Sequence, residues 1–391
     1  MVDWVVLLLK AVHIYCYLIG LSNFEFDCRT GRVFKSRRCT IYAFMANIFI
    51  LITIIYNFTA HGDTNLLFQS ANKLHEYVII IMSGLKIVAG LITVLNRWLQ
   101  RGQMMQLVKD VIRLYMINPQ LKSMIRWGIL LKAFISFAIE LLQVTLSVDA
   151  LDRQGTAEMM GLLVKLCVSF IMNLAISQHF LVILLIRAQY RIMNAKLRMV
   201  IEESRRLSFL QLRNGAFMTR CCYLSDQLED IGEVQSQLQS MVGQLDEVFG
   251  MQGLMAYSEY YLSIVGTSYM SYSIYKYGPH NLKLSAKTSI IVCILITLFY
   301  LDALVNCNNM LRVLDHHKDF LGLLEERTVF ASSLDIRLEE SFESLQLQLA
   351  RNPLKINVMG MFPITRGSTA AMCASVIVNS IFLIQFDMEF F

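Results

Sequence analysis

Residues 39–59 read CTIYAFMANIFILITIIYNFT, a run of 21 residues without a charged side chain. A helix needs about 20 consecutive, predominantly apolar residues to cross the hydrocarbon core of a bilayer. Six more stretches of similar character follow, at about 77–95, 127–147, 162–186, 248–275, 288–311 and 368–386. The sequence therefore predicts an all-α membrane protein with seven transmembrane helices, which we number as spans 1 to 7.

The overall composition agrees with this class. Of the 391 residues, 55% are hydrophobic and only 17% are charged, whereas soluble domains carry about 25% charged residues. No stretch outside the spans is long enough to form a separate large domain. The class of large water-soluble enzymes is thereby excluded.

The basic residues are distributed unevenly between the two sides of the predicted bundle. Residues 23–38 and the gaps 2–3, 4–5 and 6–7 together hold 26 Lys and Arg, whereas the other three gaps hold five. Lys and Arg are retained on the cytoplasmic side of short loops. This bias predicts a cytoplasmic N-terminus and an extracellular C-terminus, which is opposite to the orientation of a G-protein-coupled receptor.

This orientation divides the chain into three regions. Residues 1–38 are expected to form a cytoplasmic segment with a membrane-associated helix, for which an eighth span over residues 1–22 is the alternative. Residues 39–386 form the seven-span domain and residues 387–391 an extracellular tail. The inner loops are 96–126, 187–247 and 312–367. Since the outer gaps have only about 17, 14 and 12 residues, a small-molecule site must lie among the spans.

The inner loops carry helical patterns and are predicted to form cytosolic extensions of the bundle. One apolar seam follows a heptad and another recurs at helical spacing. The seams consist of Leu228, Ile231, Leu238, Val242, Leu245 and Phe249, with Gln235 at an interrupted position, and of Leu338, Phe342, Leu345 and Leu349. They fit either packing within one subunit or a platform that joins subunits.

Ionisable side chains inside predicted spans are candidates for function, because a charge within the bilayer is costly. Lys86, Glu140 and Glu259 lie deep, where they either pair with one another or line a ligand cavity. Lys132 lies near a span end and is expected to extend its amine to the interface. Asp302 is expected to fix helix packing.

Span 5 is rich in tyrosine. Tyr257, Tyr260 and Tyr261 lie deep in the span beside Glu259. Hydroxyl groups at that depth are able to orient a small ligand in an otherwise apolar cavity. We therefore include these tyrosines among the ligand-binding candidates.

Signals for other functions are weak. The adjacent His316 and His317 point to different faces of a helix, whereas helical zinc sites place ligands at i and i+4. No phosphate-binding loop or nucleophile elbow occurs. We expect no enzyme activity, no cofactor, no metal and no nucleic-acid partner. A secondary transporter is a third alternative, although the chain lacks the internal repeat common in that class.

The end of the chain supplies the most specific motif. Residues 360–365 read GMFPIT, and the last span ends in SIFLIQF at residues 380–386. This resembles the insect gustatory receptor family, whose last span carries Thr-Tyr, five hydrophobic residues and Gln-Phe. Gln385 and Phe386 match that motif, whereas Val378 and Asn379 stand in place of Thr-Tyr.

The resemblance implies a chemoreceptor that works as a tetrameric ligand-gated cation channel, either homomeric or with other gustatory subunits. It implies that the last span lines the pore and that Gln385 and Phe386 lie at the gate, with Phe382 and Leu383 beside them. Ligands of the family bind between spans in the outer half, which brings Glu140 and Gln143 into the candidate set.

The implied setting is the plasma membrane of sensory neurons, and the implied ligand is a small-molecule tastant. The apolar, tyrosine-bearing spans lean weakly towards bitter compounds. The leading alternative is a seven-span receptor of the same inverted orientation that signals through cytosolic partners.

Overall fold

The computed structural model describes residues 4–27, 32–60, 73–154, 159–209, 214–277, 286–326 and 335–390. The helices in these ranges are α1 (Trp4–Leu18), α2 (Arg37–Ala60), α3 (Lys73–Leu99), α4 (Arg101–Ile117), α5 (Pro119–Gln154), α6 (Met159–Phe209), α7 (Asn214–Tyr277), α8 (Ala286–Glu326), α9 (Ile336–Arg351) and α10 (Arg366–Phe390). Two short antiparallel hairpins complete the described fold, with β1 (Glu25–Asp27) paired to β2 (Arg32–Phe34) and β3 (Asn357–Val358) to β4 (Phe362–Pro363).

Six helices within the described ranges are long and apolar enough to cross a membrane, namely α2, α3, α5, α6, α8 and α10. The structure thus confirms an all-α, multi-pass membrane protein. The predicted fifth span, 248–275, forms the second half of α7 but is not among the six. Polar side chains such as Gln252 and Glu259 interrupt its apolar run, and both are buried against neighbouring helices. The burial of its side chains identifies this half of α7 as part of the helix bundle, whereas its hydropathy alone does not.

The longest helices are much longer than one membrane crossing requires. The 51 residues of α6 and the 64 residues of α7 give lengths of about 75 and 95 Å at about 1.5 Å per residue, against a hydrocarbon core of about 30 Å. The predicted inner loops are therefore largely helical. Residues 387–390, expected as part of a tail, continue α10.

The two apolar seams predicted in the inner loops meet each other. Leu338, Phe342, Leu345 and Leu349 on α9 are buried in the same core as the heptad residues of α7. The helix α9 begins where the Asp335 side chain accepts a hydrogen bond from the backbone N–H of Arg337, which satisfies one of the open donors of the first turn. The seams thus pack within one subunit.

Glycines allow two helices to approach α6 closely. A β-carbon at Gly90 of α3 would lie 2.7 Å from Cγ1 of Val168, and one at Gly128 of α5 would lie 2.8 Å from Cδ2 of Leu184. Small residues at crossings let helix backbones come near enough for dispersion to stabilise the pair in lipid. The helix α6 contacts α2, α3, α5, α7 and α8 and is the central helix of the bundle.

A buried ion pair joins three helices. Nζ of Lys132 on α5 lies 2.5 Å from Oδ1 of Asp302 on α8, and both side chains are 4% exposed. The other carboxylate oxygen accepts hydrogen bonds from the hydroxyl of Tyr260 on α7, at 2.8 Å, and from the amide of Asn306, at 3.0 Å. The expectation that Asp302 fixes helix packing is confirmed. The expectation for Lys132 was wrong, because a carboxylate within hydrogen-bond distance holds its amine inside the bundle.

The crossing at Gly90 gives a first prediction. Gly90→Ala should lower the midpoint of thermal unfolding, since the added methyl meets the stiff side chain of Val168, and overpacking costs about 1–3 kcal/mol. Gly84→Ala on the same helix is the control, because a β-carbon there has nothing within 4 Å. The midpoint is measured by size-exclusion fluorescence after heating in detergent. Equal midpoints for both variants would contradict the close crossing.

The buried pair gives a second prediction. Lys132→Met or Asp302→Asn alone should each destabilise the folded protein by about 3–5 kcal/mol, because each leaves a buried group without its partner. The double variant should be more stable than the sum of the single effects predicts, since neither charge then remains buried. Thermal unfolding of the four proteins measures this coupling, and strict additivity would refute it.

Candidate functional site

A cavity of about 840 Å³ lies between α7, α8 and α10. Its wall is completed by residues of α3 and α6, by β3 with the preceding Ile356, and by Ile364, which follows β4. The lining is mostly apolar, as at Met310 on α8 and Met372 on α10, with a few polar groups between. This combination is typical of sites that bind small organic molecules.

Two of the candidates from the sequence, Tyr257 and Tyr260, line this cavity. The hydroxyl of Tyr260 donates to Asp302 and is occupied. The hydroxyl of Tyr257 lies 3.3 Å from the sulfur of Met310, which is a weak acceptor. A ligand with a stronger hydrogen-bond acceptor can replace that contact, so the hydroxyl of Tyr257 is available to donate to a ligand.

The deep charges Lys86 and Glu259 pair with each other, outside the cavity lining. Nζ of Lys86 on α3 lies 3.8 Å from Oε1 of Glu259 on α7. Of the two roles open to them from the sequence, the structure gives pairing. This ion pair ties the second half of α7 to α3.

The outer-half candidates are also engaged by protein groups. Glu140 on α5 accepts hydrogen bonds from the hydroxyl of Tyr15 on α1, at 3.0 Å, and from the amide of Asn173 on α6, at 2.9 Å. Gln143 accepts one from the hydroxyl of Ser169 at 2.6 Å. Neither residue lines the cavity, and together they fasten α1 and α6 to α5.

Tyr261 faces α10. Its hydroxyl lies 2.9 Å from the hydroxyl of Ser375 and accepts a hydrogen bond from the amide of Asn379 at 2.6 Å. Asn379 is one of the two residues that depart from the family motif. In this chain it connects α10 to α7.

The residues expected at the gate lie near the end of α10. Phe382 is 64% exposed in the single chain and Phe386 38%, while Gln385 is exposed and Leu383 is partly buried. The aromatic and amide side chains of Phe382, Gln385 and Phe386 are therefore on the surface of the single subunit.

The residue after Phe386 was not recognised from the sequence. Asp387 is fully buried, and its carboxylate accepts a hydrogen bond from the hydroxyl of Tyr269 on α7 at 2.9 Å and lies 3.3 Å from Nζ of Lys276. A short run of apolar and charged residues at a chain end carries no signal of burial. Tyr269 and Lys276 near the end of span 5 were the residues in the sequence that could have indicated a buried acidic partner.

No group of three His, Cys, Asp or Glu side chains in the described ranges is arranged to hold a metal ion.

Comparison with known proteins places the chain. Residues 9–390 match the family model described as "7tm Chemosensory receptor". The chain is 46% identical to putative gustatory receptor 36a of Drosophila melanogaster over 391 residues, covering all of both proteins. It is 44% identical to putative gustatory receptor 36c and 31% identical to putative gustatory receptor 59d of the same species, covering 98% and 100% of both chains.

Solved structures agree on the fold. The olfactory receptor OR5 of Machilis hrabei in complex with eugenol aligns with a TM-score of 0.64 at 12% identity, covering 96% of this chain and 97% of that one. The same receptor in another structure gives a TM-score of 0.66 at 10% identity, with 97% of each chain covered. The match over nearly the whole length places this chain in the seven-transmembrane chemosensory receptor family, and it is a multi-pass gustatory chemoreceptor rather than an enzyme.

Proposed function

We propose that the protein is a ligand-gated cation channel in the plasma membrane of sensory neurons, with α10 lining the pore of a homo- or heterotetramer. The observation that carries the proposal is the asymmetry of α10. One side is buried, at Ser380 and at Asp387, whose carboxylate is bonded to Tyr269 of α7, while Val378, Ile381 and Gln385 on the opposite side are exposed. An exposed face on an otherwise anchored helix is what a pore at a subunit junction requires.

The proposed topology has seven spans, with the N-terminus in the cytosol. The basic residues support this orientation, because 26 of them fall on one side and five on the other. The second half of α7 supplies span 5, in addition to the six helices that hydropathy identifies. Its carboxylate at Glu259 is compatible with the bilayer because Lys86 neutralises it inside the bundle, as intramembrane charges require.

The proposed gate is a constriction of Phe386 and Gln385 side chains near the outer end of α10. A ring of phenylalanines stops ions by excluding water from the constriction. A shift from 1% to 99% open requires about 5.5 kcal/mol of differential ligand binding. Four ligand sites share that requirement at little more than about 1 kcal/mol each, which is within reach of one or two hydrogen bonds per site.

The proposed ligand site is the cavity lined by Tyr257 and Tyr260. Its volume suits a drug-sized molecule, since ligand pockets measure about 300–1,000 Å³. Glu140, Gln143, Lys86, Glu259 and Tyr261 then act as supports that hold the surrounding helices, because each is already engaged by another protein group. The ligand is a small-molecule tastant, with a lean towards bitter compounds.

The orientation gives a third prediction. An epitope tag fused after Phe391 should bind antibody on intact, non-permeabilised cells, because the positive-inside rule places that end outside. A tag at the N-terminus of the same chain is the matched control and should need detergent to become accessible. The reverse pattern of antibody binding would contradict the proposed topology and the gate position that rests on it.

The gate gives a fourth prediction. Phe386→Ala should raise the basal cation current of purified protein in liposomes, since the smaller side chain weakens the exclusion of water from the constriction. Phe134→Ala is the control, because Phe134 is a 68% exposed phenylalanine on α5 and lies far from α10 in the chain.

Wild-type protein in the same liposomes separates the alternatives. Agonist-evoked cation current supports a channel, and saturable solute uptake without current would indicate a transporter. Absence of both in protein that binds agonist would favour a receptor that signals through cytosolic partners. Unchanged basal current in correctly inserted Phe386→Ala protein would reject the assigned gate.

A further inference from the structure

Three arginines lie together where α6 and α8 leave their apolar spans. Arg187 and Arg191 follow span 4 on α6, and Arg312 follows span 6 on α8. We call these three residues the arginine cluster. The guanidinium groups of Arg191 and Arg312 are close enough to that of Arg187 to repel it. Arg187 is partly buried, whereas the other two are exposed. Like charges gathered in this way attract an anion.

Two side-chain contacts fix how α6 and α8 meet at this level. The guanidinium group of Arg187 donates to the amide oxygen of Asn309 on α8, at 3.4 Å. Seven residues further along each helix, the amide of Asn194 donates to the backbone carbonyl of His316, at 2.9 Å. In both contacts the partner comes 122 residues later in the chain, so the two helices run parallel and in one register. The two exposed arginines of the cluster are therefore within one residue of the same level.

The arginine cluster has no carboxylate partner within the ranges that the structure describes. The acidic side chains that follow it on α8 are engaged elsewhere. Asp315 lies 2.8 Å from the guanidinium group of Arg366 on α10. Asp319 lies 3.7 Å from the ring of His316. The positive charge of the cluster is thus not neutralised by described protein groups and is available to a bound anion.

The cluster is at the depth of lipid headgroups. In the proposed orientation spans 4 and 6 both end on the cytosolic side, and the cluster begins one residue after each of them. On α8 an apolar surface leads towards it from the bilayer. Ile294 and Leu301 are 47% and 40% exposed and share a face with Arg312, because the 18 residues from 294 to 312 make five helical turns. An acyl chain that lies on this surface brings its headgroup to the cluster.

We propose that the arginine cluster binds the phosphorylated headgroup of an inner-leaflet lipid of the phosphoinositide class. Arginine forms paired hydrogen bonds with phosphate oxygens, and basic pockets between helices at the cytoplasmic surface bind such headgroups. None of the three arginines lines the cavity between α7, α8 and α10, so this lipid is not the tastant. The assignment goes beyond the proposed function and rests only on its orientation.

The lipid is expected to stabilise the subunit. A bound headgroup removes the repulsion among the three arginines and thereby strengthens the packing of α6 against α8. The site also lies beside a connection to the proposed pore helix. One turn beyond Arg312, the carboxylate of Asp315 binds Arg366, which is the first residue of α10.

The test measures lipid binding and not current, so that its outcome is independent of the channel proposal. The probes are dioctanoyl phosphatidylinositol 4,5-bisphosphate, dioctanoyl phosphatidylinositol and inositol 1,4,5-trisphosphate. The second probe has the chains without the additional phosphates, and the third has the phosphates without the chains. A ligand that binds the folded state raises the midpoint of thermal unfolding as its occupancy rises. Purified full-length protein should be stabilised most by the bisphosphate lipid and little by the other two.

The trisphosphate distinguishes the two sources of the phosphate groups. If it stabilised the protein as much as the bisphosphate lipid does, the cluster would belong to a soluble inositol phosphate and the lipid assignment would be rejected. Equal stabilisation by the two lipids, or no stabilisation by any of the three probes, would overturn the phosphate site itself.

Arg191→Gln and Arg312→Gln should each weaken binding of the bisphosphate lipid about five- to tenfold, since one basic residue contributes about that much to the binding of an acidic headgroup. Arg198→Gln is the matched control and should leave binding unchanged. Arg198 is exposed and lies on the same face of α6 as Arg191, but two turns, or about 10 Å, further from the membrane. Equal weakening in the control and in Arg191→Gln would show that only net charge attracts the lipid.

A charge-conserving variant keeps the test decisive if the glutamine variants are unstable without lipid. The double variant Arg191→Lys/Arg312→Lys keeps both charges and loses the forked geometry of arginine. Its binding should fall less than that of the double glutamine variant, and its preference for the bisphosphate lipid over phosphatidylinositol should remain. Complete loss of binding in the lysine variant, or full binding in the double glutamine variant, would contradict a site that acts through charge.

Discussion

The ion pair between Lys132 and Asp302 is the interaction on which the arrangement of the bundle depends. Two opposite charges buried within hydrogen-bond distance hold α5 against α8, and an arrangement that separated them inside the bundle would leave each buried charge without its partner. Asp302 also accepts the hydroxyl of Tyr260, which sets the rotation of α7. Since α7 forms one wall of the cavity, a charge pair that touches no ligand defines the shape of the proposed site.

The helix α7 connects the remaining parts of the molecule. Its first half packs with α9 in the helical extension, and its second half contacts α3 through Glu259 and α10 through Tyr261 and Tyr269. In lipid, where the hydrophobic effect does not drive helices together, such polar contacts and close packing supply the association energy. This explains why the second half of α7, which carries many polar side chains, lies inside the bundle and not at its surface.

The sequence predicted the parts of this fold that depend on local chemistry. Apolar runs gave the six helices that are long and apolar enough to cross a membrane, and helical spacing at Leu338 and Phe342 gave the packing of α9, because both signals repeat along one helix. The environment of Lys132 was missed, since its partner lies 170 residues away and no local pattern encodes that distance. For the same reason the sequence could not show that Glu140 and Gln143 accept hydrogen bonds from groups on other helices. Asp387 was missed because burial at a chain end is decided by tertiary contacts.

The proposed site and the proposed gate are joined by adjacent residues of one helix. Ser268 lines the cavity, and the next residue, Tyr269, holds Asp387 beside Phe386. A ligand that changes the position of this part of α7 must either carry the end of α10 with it or break the bond to a fully buried carboxylate. Breaking it would leave a charge with fewer partners in a dry environment, which is the costlier outcome. Movement of α7 and α10 together is therefore the cheaper response, and it acts directly on the residue that would close the pore.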